Sequence, residues 1–217
     1  MISRLHYITQ DIPNFTHYEL AEEACKGAAD WIQLRVKSSS YNDWEYTAFK
    51  TKEVCNNYNA KLIINDNVEI AKTVKADGVH LGKNDMSPAE ARKILGNDFI
   101  IGGTANTFED VERLSRTGVD YIGVGPFRYT ATKEKLSPTL GLDGYQSILN
   151  KCKNKEIKIP IISIGGIQPD DISSLLKTGI YGMAVSSAIN LAKDKALITK
   201  QFLEIMSKYN GTIHNCK

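Results

Sequence analysis

Short apolar runs alternate with longer amphipathic stretches along almost the whole chain. Runs rich in β-branched residues predict strands at positions 5–9, 31–35, 61–64, 78–81, 99–103, 121–124, 159–164 and 182–185. Stretches in which apolar residues recur every three or four positions predict helices at 18–26, 42–58, 68–74, 88–95, 107–116, 145–152, 169–177 and 187–209. This alternation is typical of a parallel sheet wrapped by helices.

Eight strands alternating with eight helices favour a closed (β/α)8 barrel, the TIM-barrel form of the α/β class, over an open doubly wound sheet. The strings GAADWIQL, VKADGVHL, TGVDYIGV and TGIYGMAV support this count, because each places a small residue shortly before a strand, where glycine commonly ends a helix. A chain of 217 residues suits one such barrel, which needs about 200–250. We predict a single TIM-barrel domain over residues 1–217, with a flexible tail at 210–217.

Composition narrows the classes of partner. A net charge of +2 is too mild for a nucleic-acid or membrane-surface protein, so any anion must bind in a local pocket. The four cysteines include no Cys-x-x-Cys pair, which predicts reduced thiols rather than disulfides or a zinc site. The sequence has neither an apolar run of about 18 residues nor a signal-peptide core. We expect a cytoplasmic protein whose partners are small molecules, and a homo-oligomer remains possible.

A basic cluster follows the second predicted strand. Gln33, Arg35 and Lys37 are spaced two residues apart, so in an extended strand they share one face, reaching inward or over the top of the barrel. A buried basic pair needs an anion to offset the loss of hydration. The pattern favours an anion-binding site at the barrel top, and the alternative is a salt bridge to carboxylates of the barrel itself.

Acidic side chains follow the next two strands. Asn65 and Asp66 end the string IIND, and Asp85 ends HLGKND. Two carboxylates at neighbouring loops, together with phosphate oxygens and water, form the arrangement that Mg²⁺ prefers. The alternative is that each aspartate caps the helix that follows it. Considered together with the basic cluster, the pair favours a metal site.

Hydroxyl and glycine residues follow the remaining strands. Thr104 and Asn106 come after the fifth strand, where both offer hydrogen bonds. The strings SIGGI and AVSSAI after the seventh and eighth strands supply Gly166, Ser186 and Ser187. Backbone N–H groups at a glycine pair and at a helix start bind phosphate, and these two loops are the usual phosphate site of such barrels.

The one long irregular stretch is residues 125–144, after the sixth strand. A loop of this length in a compact domain is uncommon and is usually functional. It contains Thr130, Thr132 and Lys133, which offer two hydroxyls and an ammonium group to an anion. The alternative is an ordinary solvated loop.

Other catalytic patterns are missing from the sequence. His80 lies within the fourth strand and is interpreted as a core histidine with satisfied hydrogen bonds, and the other histidines show no metal spacing. No G-x-G-x-x-G motif followed by an acid indicates a dinucleotide site. Neither a Ser/His/Asp arrangement nor an activated cysteine can be argued from the sequence.

The strings QLRVK, IIND, ADGVHLGKND, VDYIGVGPFRYTATK, IPIISIGGI and AVSSAI resemble the thiamine phosphate synthase family in their order and spacing, over residues 5–189. The resemblance implies a (β/α)8 barrel enzyme that condenses a hydroxymethylpyrimidine diphosphate with a thiazole phosphate. The products are thiamine phosphate and pyrophosphate, and the implied cofactor is Mg²⁺. The family reaction passes through a pyrimidine carbocation, which the thiazole nitrogen then attacks.

The resemblance also implies roles for individual residues. Those at the pyrimidine diphosphate are Gln33, Arg35, Lys37, Asn65, Thr104 and Lys133. Those that hold Mg²⁺ are Asp66 and Asp85. Those that seat the thiazole phosphate are Thr130, Thr132, Gly166, Ser186 and Ser187. Catalytic roles are implied for four of these residues, because negative charge concentrates on the departing diphosphate; they are Arg35, Lys37, Thr104 and Lys133.

Three positions depart from the family pattern. The family usually has Ser where Thr104 stands, often has His where Asn106 stands, and has Ile or Val where Ser186 stands. The main alternative is a thiazole tautomerase, a similar barrel that relies on a His in the fifth loop and loses the diphosphate-binding residues. A second alternative is a catalytically silent barrel that binds thiamine precursors. The Asn at position 106 and the intact acidic and basic residues favour the synthase.

Overall fold

The chain folds into a closed barrel of eight parallel strands in sequential order. The structure is a computed structural model that describes residues 1–37, 39–129 and 138–209. The strands are β1 (Leu5–Ile8), β2 (Trp31–Leu34), β3 (Lys61–Asn65), β4 (Gly78–Leu81), β5 (Ile100–Ala105), β6 (Tyr121–Val124), β7 (Ile161–Ile164) and β8 (Gly182–Val185). The predicted (β/α)8 fold is confirmed, and every predicted strand is present with ends shifted by at most a few residues.

Helices connect successive strands on the outside of the barrel. They are α1 (His17–Lys26), α2 (Tyr41–Asn57), α3 (Val68–Thr73), α4 (Pro88–Leu95), α5 (Phe108–Leu114), α6 (Gly141–Asn154), α7 (Ile172–Lys177), α8 (Ser187–Asn190) and α9 (Lys195–Ser207). A 3-10 turn at Pro169–Asp171 leads into α7. None of the helices in the described ranges is long and apolar enough to cross a bilayer.

Two helix predictions were wrong in their bounds. The predicted helix at 187–209 is two helices, α8 and α9. The side chain of Asp194 accepts a hydrogen bond from the N–H of Leu197 (2.8 Å) and so caps the start of a separate helix, α9. Apolar residues recur on both sides of Asp194, which hid the break in the sequence pattern. Helix α6 begins at Gly141 rather than at Tyr145. The first turn was missed in the sequence because it contains two glycines, which are poor helix formers.

Apolar side chains form two separate cores because alternate strand residues face opposite sides of the barrel wall. The larger core lies between the wall and the helices. The smaller core is formed by strand residues of the opposite face, which point into the barrel, and consists of Ile8, Trp31, Ile63, Tyr121, Ile162 and Ala184. The His6 ring stacks on Trp31 in this interior, with ring centroids 4.3 Å apart. Because these side chains fill the barrel interior, a ligand site is expected at the mouth of the barrel.

Three cysteines in the described part of the chain are free thiols, as predicted. They are Cys25, Cys55 and Cys152, and all three are buried. Burial raises the pKa of the Cys25 thiol to about 12. A thiol of such high pKa is protonated at neutral pH, so Cys25 is a packing residue rather than a nucleophile.

Arg92 joins the segments that lead into β5 and β6, at the end of the barrel opposite the mouth. Its guanidinium group donates hydrogen bonds to the carbonyl groups of Gly96 (3.0 Å), Phe99 (2.5 Å) and Gly118 (3.1 Å). It also forms a salt bridge of 2.7 Å with Asp120. One side chain therefore fixes two helix-to-strand connections, in a region of the barrel where sequence is constrained by stability rather than catalysis.

Arg92→Ala should lower the free energy of unfolding by about 2 kcal/mol, because several hydrogen bonds to one charged group are lost together. The measurement is the urea unfolding midpoint, and activity of the folded enzyme should stay within about twofold. The control is Arg116→Ala, since the Arg116 side chain is 75% exposed against 20% for Arg92 and, within the described ranges, forms a salt bridge only with Glu112 at 3.1 Å. That variant should change stability by no more than about 0.5 kcal/mol. Equal losses in both variants would contradict the role of Arg92.

Candidate active site

Two amide side chains are joined by a hydrogen bond where β2 and β3 reach the mouth of the barrel. Gln33 is 4% exposed and Asn65 is 8% exposed, and Nε2 of Gln33 donates to Oδ1 of Asn65 (2.8 Å). The parallel pairing of β2 with β3 brings these residues together. The hydrogen bond fixes the orientation of the Asn65 amide, whose own N–H groups have no acceptor among the described residues.

Arg35 lies one residue beyond β2 and is attached to β1. Its backbone N–H donates to Oγ1 of the buried Thr9 (3.1 Å), and the ring of His17 links Thr9 (2.7 Å) to Asp11 (3.0 Å). Partial burial lowers the pKa of the Arg35 guanidinium, and attraction to Asp66 and Asp11 opposes that shift. Asp66 and Asp11 are therefore carboxylates that interact electrostatically with Arg35, and the alternative of a salt bridge to the basic cluster stays a prediction.

The strand predicted to place Gln33, Arg35 and Lys37 on one face is shorter than expected, and only Gln33 lies within β2. Strand β2 ends at Leu34, one residue earlier than predicted, because the next N–H donates to Thr9 instead of to a neighbouring strand. Arg35 is half-buried at the mouth, whereas Lys37 is exposed in the loop that follows. The assignment of all three residues to a diphosphate stays a prediction.

Asp66 and Asp85 converge on one corner of the mouth, at Gly82. The N–H of Gly82 donates to Oδ2 of Asp85 (2.6 Å). A Cβ atom added to Gly82 would lie 2.7 Å from Oδ2 of Asp85 and 3.9 Å from Oδ1 of Asp66. Both aspartates are exposed. The two carboxylates thus meet at a solvent-accessible point between the β3 and β4 loops.

The alternative that these aspartates cap helices is wrong. Asn67 caps α3 by accepting from the N–H of Ile70 (2.9 Å), and Ser87 caps α4 in a capping box with Glu90. Asp66 itself has a φ of 66°, a left-handed backbone conformation outside the helix. Because Asn67 and Ser87 cap the two helices, helix capping does not explain why the carboxylates of Asp66 and Asp85 both lie near Gly82.

Asp66 and Asp85 suit a metal ion whose remaining ligands come from the substrate and from water. Across the described ranges, no group of three or more His, Cys, Asp or Glu side chains could hold a metal ion unaided. Mg²⁺ is typically bound by one or two carboxylates with phosphate oxygens and water. Asp66 and Asp85 fit this incomplete protein shell, and their metal assignment stays a prediction.

Thr104 and Asn106, at the end of β5, contact different parts of the molecule. Oγ1 of Thr104 forms a hydrogen bond of 3.0 Å with Nε2 of His80, inside the barrel mouth. Nδ2 of Asn106 donates to the carbonyl group of Gly125 (2.5 Å), where the long loop begins. Asn106 therefore holds the start of the long loop against the end of β5. The contact between His80 and Thr104 was not predicted from the sequence.

The Gly165-Gly166 turn follows β7 at the same mouth. Both glycines have positive φ, at 109° and 67°, and a Cβ on Gly166 would lie 2.6 Å from Cγ of Arg128. Arg128 is fixed there by a salt bridge of 2.5 Å with Asp171. Only glycine allows this close approach with this backbone conformation.

Ser186, the residue after β8, forms hydrogen bonds with the side-chain amides of Gln10 and Asn190. Its Oγ donates to Oε1 of Gln10 (3.1 Å), and Nδ2 of Asn190 donates to its carbonyl oxygen (3.0 Å). Asn190 accepts in turn from the Tyr7 hydroxyl (2.6 Å). The turn into α8, which begins with Ser187, is thereby attached to β1, and both serines are half-buried at the mouth.

The long loop begins and ends beside β7. The N–H of Phe127 donates to the carbonyl group of Ile164 (2.8 Å), and the N–H groups of Leu140 and Gly141 donate to Pro126 (2.9 Å) and Phe127 (3.0 Å). Because α6 begins at Gly141, the irregular stretch is shorter than predicted. Thr130, Thr132 and Lys133 lie outside the described residues, as do positions 210–217, so the predictions for them are unchanged.

The fold defines the class of this protein, a (β/α)8 barrel whose candidate site residues in the described ranges lie at or near the carboxyl ends of the strands. Residues 5–189 match the family model described as thiamine monophosphate synthase. The thiamine-phosphate synthase of Phocaeicola vulgatus is 48% identical over 93% of this chain and 97% of that protein, and the one from Bacteroides fragilis is 49% identical over 93% and 98%. A solved thiamine phosphate pyrophosphorylase from Pyrococcus furiosus superposes with a TM-score of 0.85 at 31% identity, over 96% of this chain and 97% of that one. The chain belongs to the thiamine monophosphate synthase family and is an enzyme of the transferase class.

Proposed function

We propose that this enzyme condenses 4-amino-2-methyl-5-hydroxymethylpyrimidine diphosphate with hydroxyethylthiazole phosphate in a reaction that depends on Mg²⁺. The products are thiamine phosphate and pyrophosphate. The observation that carries the proposal is the convergence of Asp66 and Asp85 at Gly82, with Arg35 close enough to Asp66 to interact electrostatically. Membership of the family supplies the substrate classes.

The bond that breaks joins the pyrimidine methylene carbon to a diphosphate oxygen, and its electron pair leaves with the diphosphate. Arg35, Lys37 and Lys133 would stabilise that growing negative charge more strongly than the charge of the intact substrate, which accelerates the step. Mg²⁺ held by Asp66 and Asp85 would supply further positive charge to the same oxygens.

The hydrogen-bonding residues of the mouth would orient the pyrimidine half. The hydrogen bond from Gln33 fixes the Asn65 amide, which would orient the N–H groups of Asn65 toward the pyrimidine ring. The Thr104 hydroxyl would donate to the diphosphate side. Orientation matters because a carbocation in water is quenched quickly, and the mouth must present it to one nucleophile.

The bond that forms joins the thiazole nitrogen to the same methylene carbon, using the nitrogen lone pair. The thiazole phosphate would be seated across the mouth by Thr130, Thr132, Gly166, Ser186 and Ser187. The positive φ values of Gly165 and Gly166 and the hydrogen bonds that Ser186 forms with Gln10 and Asn190 support this placement, because they hold both turns at the mouth. No protein general base is needed for this sequence of steps.

We further propose a cytoplasmic location and phosphorylated small molecules as the partners of the enzyme. The oligomeric state is proposed to be a homo-oligomer, and sedimentation of the purified protein tests it. A monomer at working concentration would reject that proposal without affecting the reaction.

The deciding experiment measures pyrophosphate release from purified protein with both substrates, first with Mg²⁺ and then with excess EDTA. Release should require both substrates and the metal and should be matched by thiamine phosphate. Isomerisation of the thiazole substrate without release would identify a tautomerase, and binding of both substrates without any reaction would identify a silent binder. Undiminished release in EDTA would reject only the metal dependence.

A further inference from the structure

A chain of hydrogen bonds runs from the mouth into the barrel interior beneath Thr104. Oγ1 of Thr104 lies 3.0 Å from Nε2 of His80, and Nδ1 of His80 lies 3.0 Å from the hydroxyl of Tyr121. The Tyr121 side chain is 1% exposed and packs edge-on against Trp31, with centroids 5.5 Å apart. A site residue is therefore coupled to the aromatic interior through one imidazole ring.

The buried phenol sets the direction of these hydrogen bonds. Burial raises the pKa of the Tyr121 hydroxyl, so the group keeps its proton, and a buried O–H needs an acceptor. Within the described chain, its one hydrogen-bond partner is Nδ1 of His80. Tyr121 must therefore donate to Nδ1, which leaves the ring proton on Nε2, where it donates to Thr104.

The donation from Tyr121 to His80 and from His80 to Thr104 determines where the hydrogen of the Thr104 hydroxyl points. Its oxygen accepts from Nε2–H, so its own hydrogen does not point back into the barrel. With the opposite tautomer, Nε2 would be an acceptor and would attract that hydrogen away from the mouth. The Tyr121–His80 pair thus determines whether Thr104 presents a donor to a ligand.

The interior is shaped to hold this pair of rings. A Cβ on Gly102 would lie 2.2 Å from Cζ of Tyr121 and 2.6 Å from Nδ1 of His80. A Cβ on Gly123 would lie 3.2 Å from Cε1 of His80. The register of the wall places both glycines there, since Gly102 pairs with His80 on one side and with Tyr121 on the other, and Gly123 pairs with Thr104.

We propose that His80 is a positioning residue, which acts with Tyr121 to aim the Thr104 hydroxyl hydrogen at an oxygen of the leaving diphosphate. This inference rests on the proposed function for the identity of the acceptor. The hydrogen bond gains strength as charge develops on that oxygen, so its loss lowers kcat more than it raises KM.

The first test is a double-mutant cycle between His80 and Thr104. His80→Leu should lower kcat about thirtyfold and change both KM values by no more than about twofold, as expected for a pre-organised donor to developing charge. Thr104→Val should cause a similar loss, and His80→Leu added to Thr104→Val should cause almost no further loss. Additive losses would overturn the proposal.

Conservative and control variants separate positioning from packing. His80→Gln, whose amide N–H₂ can occupy the place of Nε2–H, should recover most of the kcat that His80→Leu loses. His6→Gln is the matched control, because His6 lies in the same interior but bonds to the carbonyl oxygen of Ser3 at 3.0 Å. That control should leave kcat within about twofold and should show no coupling to Thr104→Val. Thermal unfolding of each variant identifies any that fail to fold.

A second readout does not depend on activity. In protein labelled with ¹⁵N-histidine, NMR should report the His80 ring protonated at Nε2 and unprotonated at Nδ1, with the signal assigned by its absence from His80→Gln. Tyr121→Phe should weaken this preference, and a resting ring protonated at Nδ1 would overturn the proposal. If pyrophosphate release fails altogether while the Nε2 tautomer is found, the proposed function is rejected and the hydrogen-bond direction stands.

Discussion

Asp66→Asn and Asp85→Asn should each lower Mg²⁺-dependent turnover about a thousandfold and leave the fold intact. The loss is this large because each variant removes a ligand charge from an ion that would stabilise the leaving group. Folding should survive because asparagine tolerates the left-handed conformation at position 66 and can still accept from the N–H of Gly82 at position 85. The measurement is pyrophosphate release over a range of Mg²⁺ concentrations.

Glu69→Gln is the matched control, because Glu69 is an exposed acid three residues from Asp66 on α3. It should retain activity within about twofold. Binding of Mn²⁺, followed by its electron paramagnetic resonance, gives a readout apart from turnover. It should be weak for the protein alone and strengthen with pyrimidine diphosphate, because the protein offers only two carboxylates. Normal Mg²⁺ dependence in either Asn variant would remove that residue from the metal site.

The fold could be predicted because two periods dominate the sequence. Strands buried on both faces produce short apolar runs, and helices that cover one face produce a repeat of three to four residues. Helix starts were harder to predict, since Asp66 and Asn67 are both favoured cap residues and stand next to each other. The backbone conformation at position 66 decides between them, and that conformation depends on the tertiary contacts of the β3 loop.

The approach of Asp66 and Asp85 to each other could be predicted from strand order alone. Once β3 and β4 are neighbours, the residues after them must meet at one edge, which is why Asp66 and Asp85 converge. The Tyr121–His80–Thr104 chain could not be predicted in this way, because it depends on the register across β4, β5 and β6. The signal of it in the sequence was His80, a histidine within a predicted strand.

Arg35→Gln should lower kcat by about two orders of magnitude and leave the KM for thiazole phosphate within about twofold. Arg35 is anchored through its backbone to Thr9 and interacts electrostatically with Asp66, so we expect the guanidinium to contact the diphosphate rather than the thiazole phosphate. Burial lowers its pKa, but an arginine remains charged at neutral pH. The variant removes a fixed positive charge that counts most as the diphosphate departs.

Arg35→Lys separates charge from geometry. It keeps the positive charge but loses the planar fork that contacts two phosphate oxygens at once, so kcat should fall about tenfold rather than a hundredfold. Steady-state kinetics with each substrate varied in turn measures both variants, and inorganic pyrophosphate as a product inhibitor should bind more weakly to both. If Arg35→Gln instead raised the KM for thiazole phosphate with kcat unchanged, Arg35 would belong to the opposite side of the mouth.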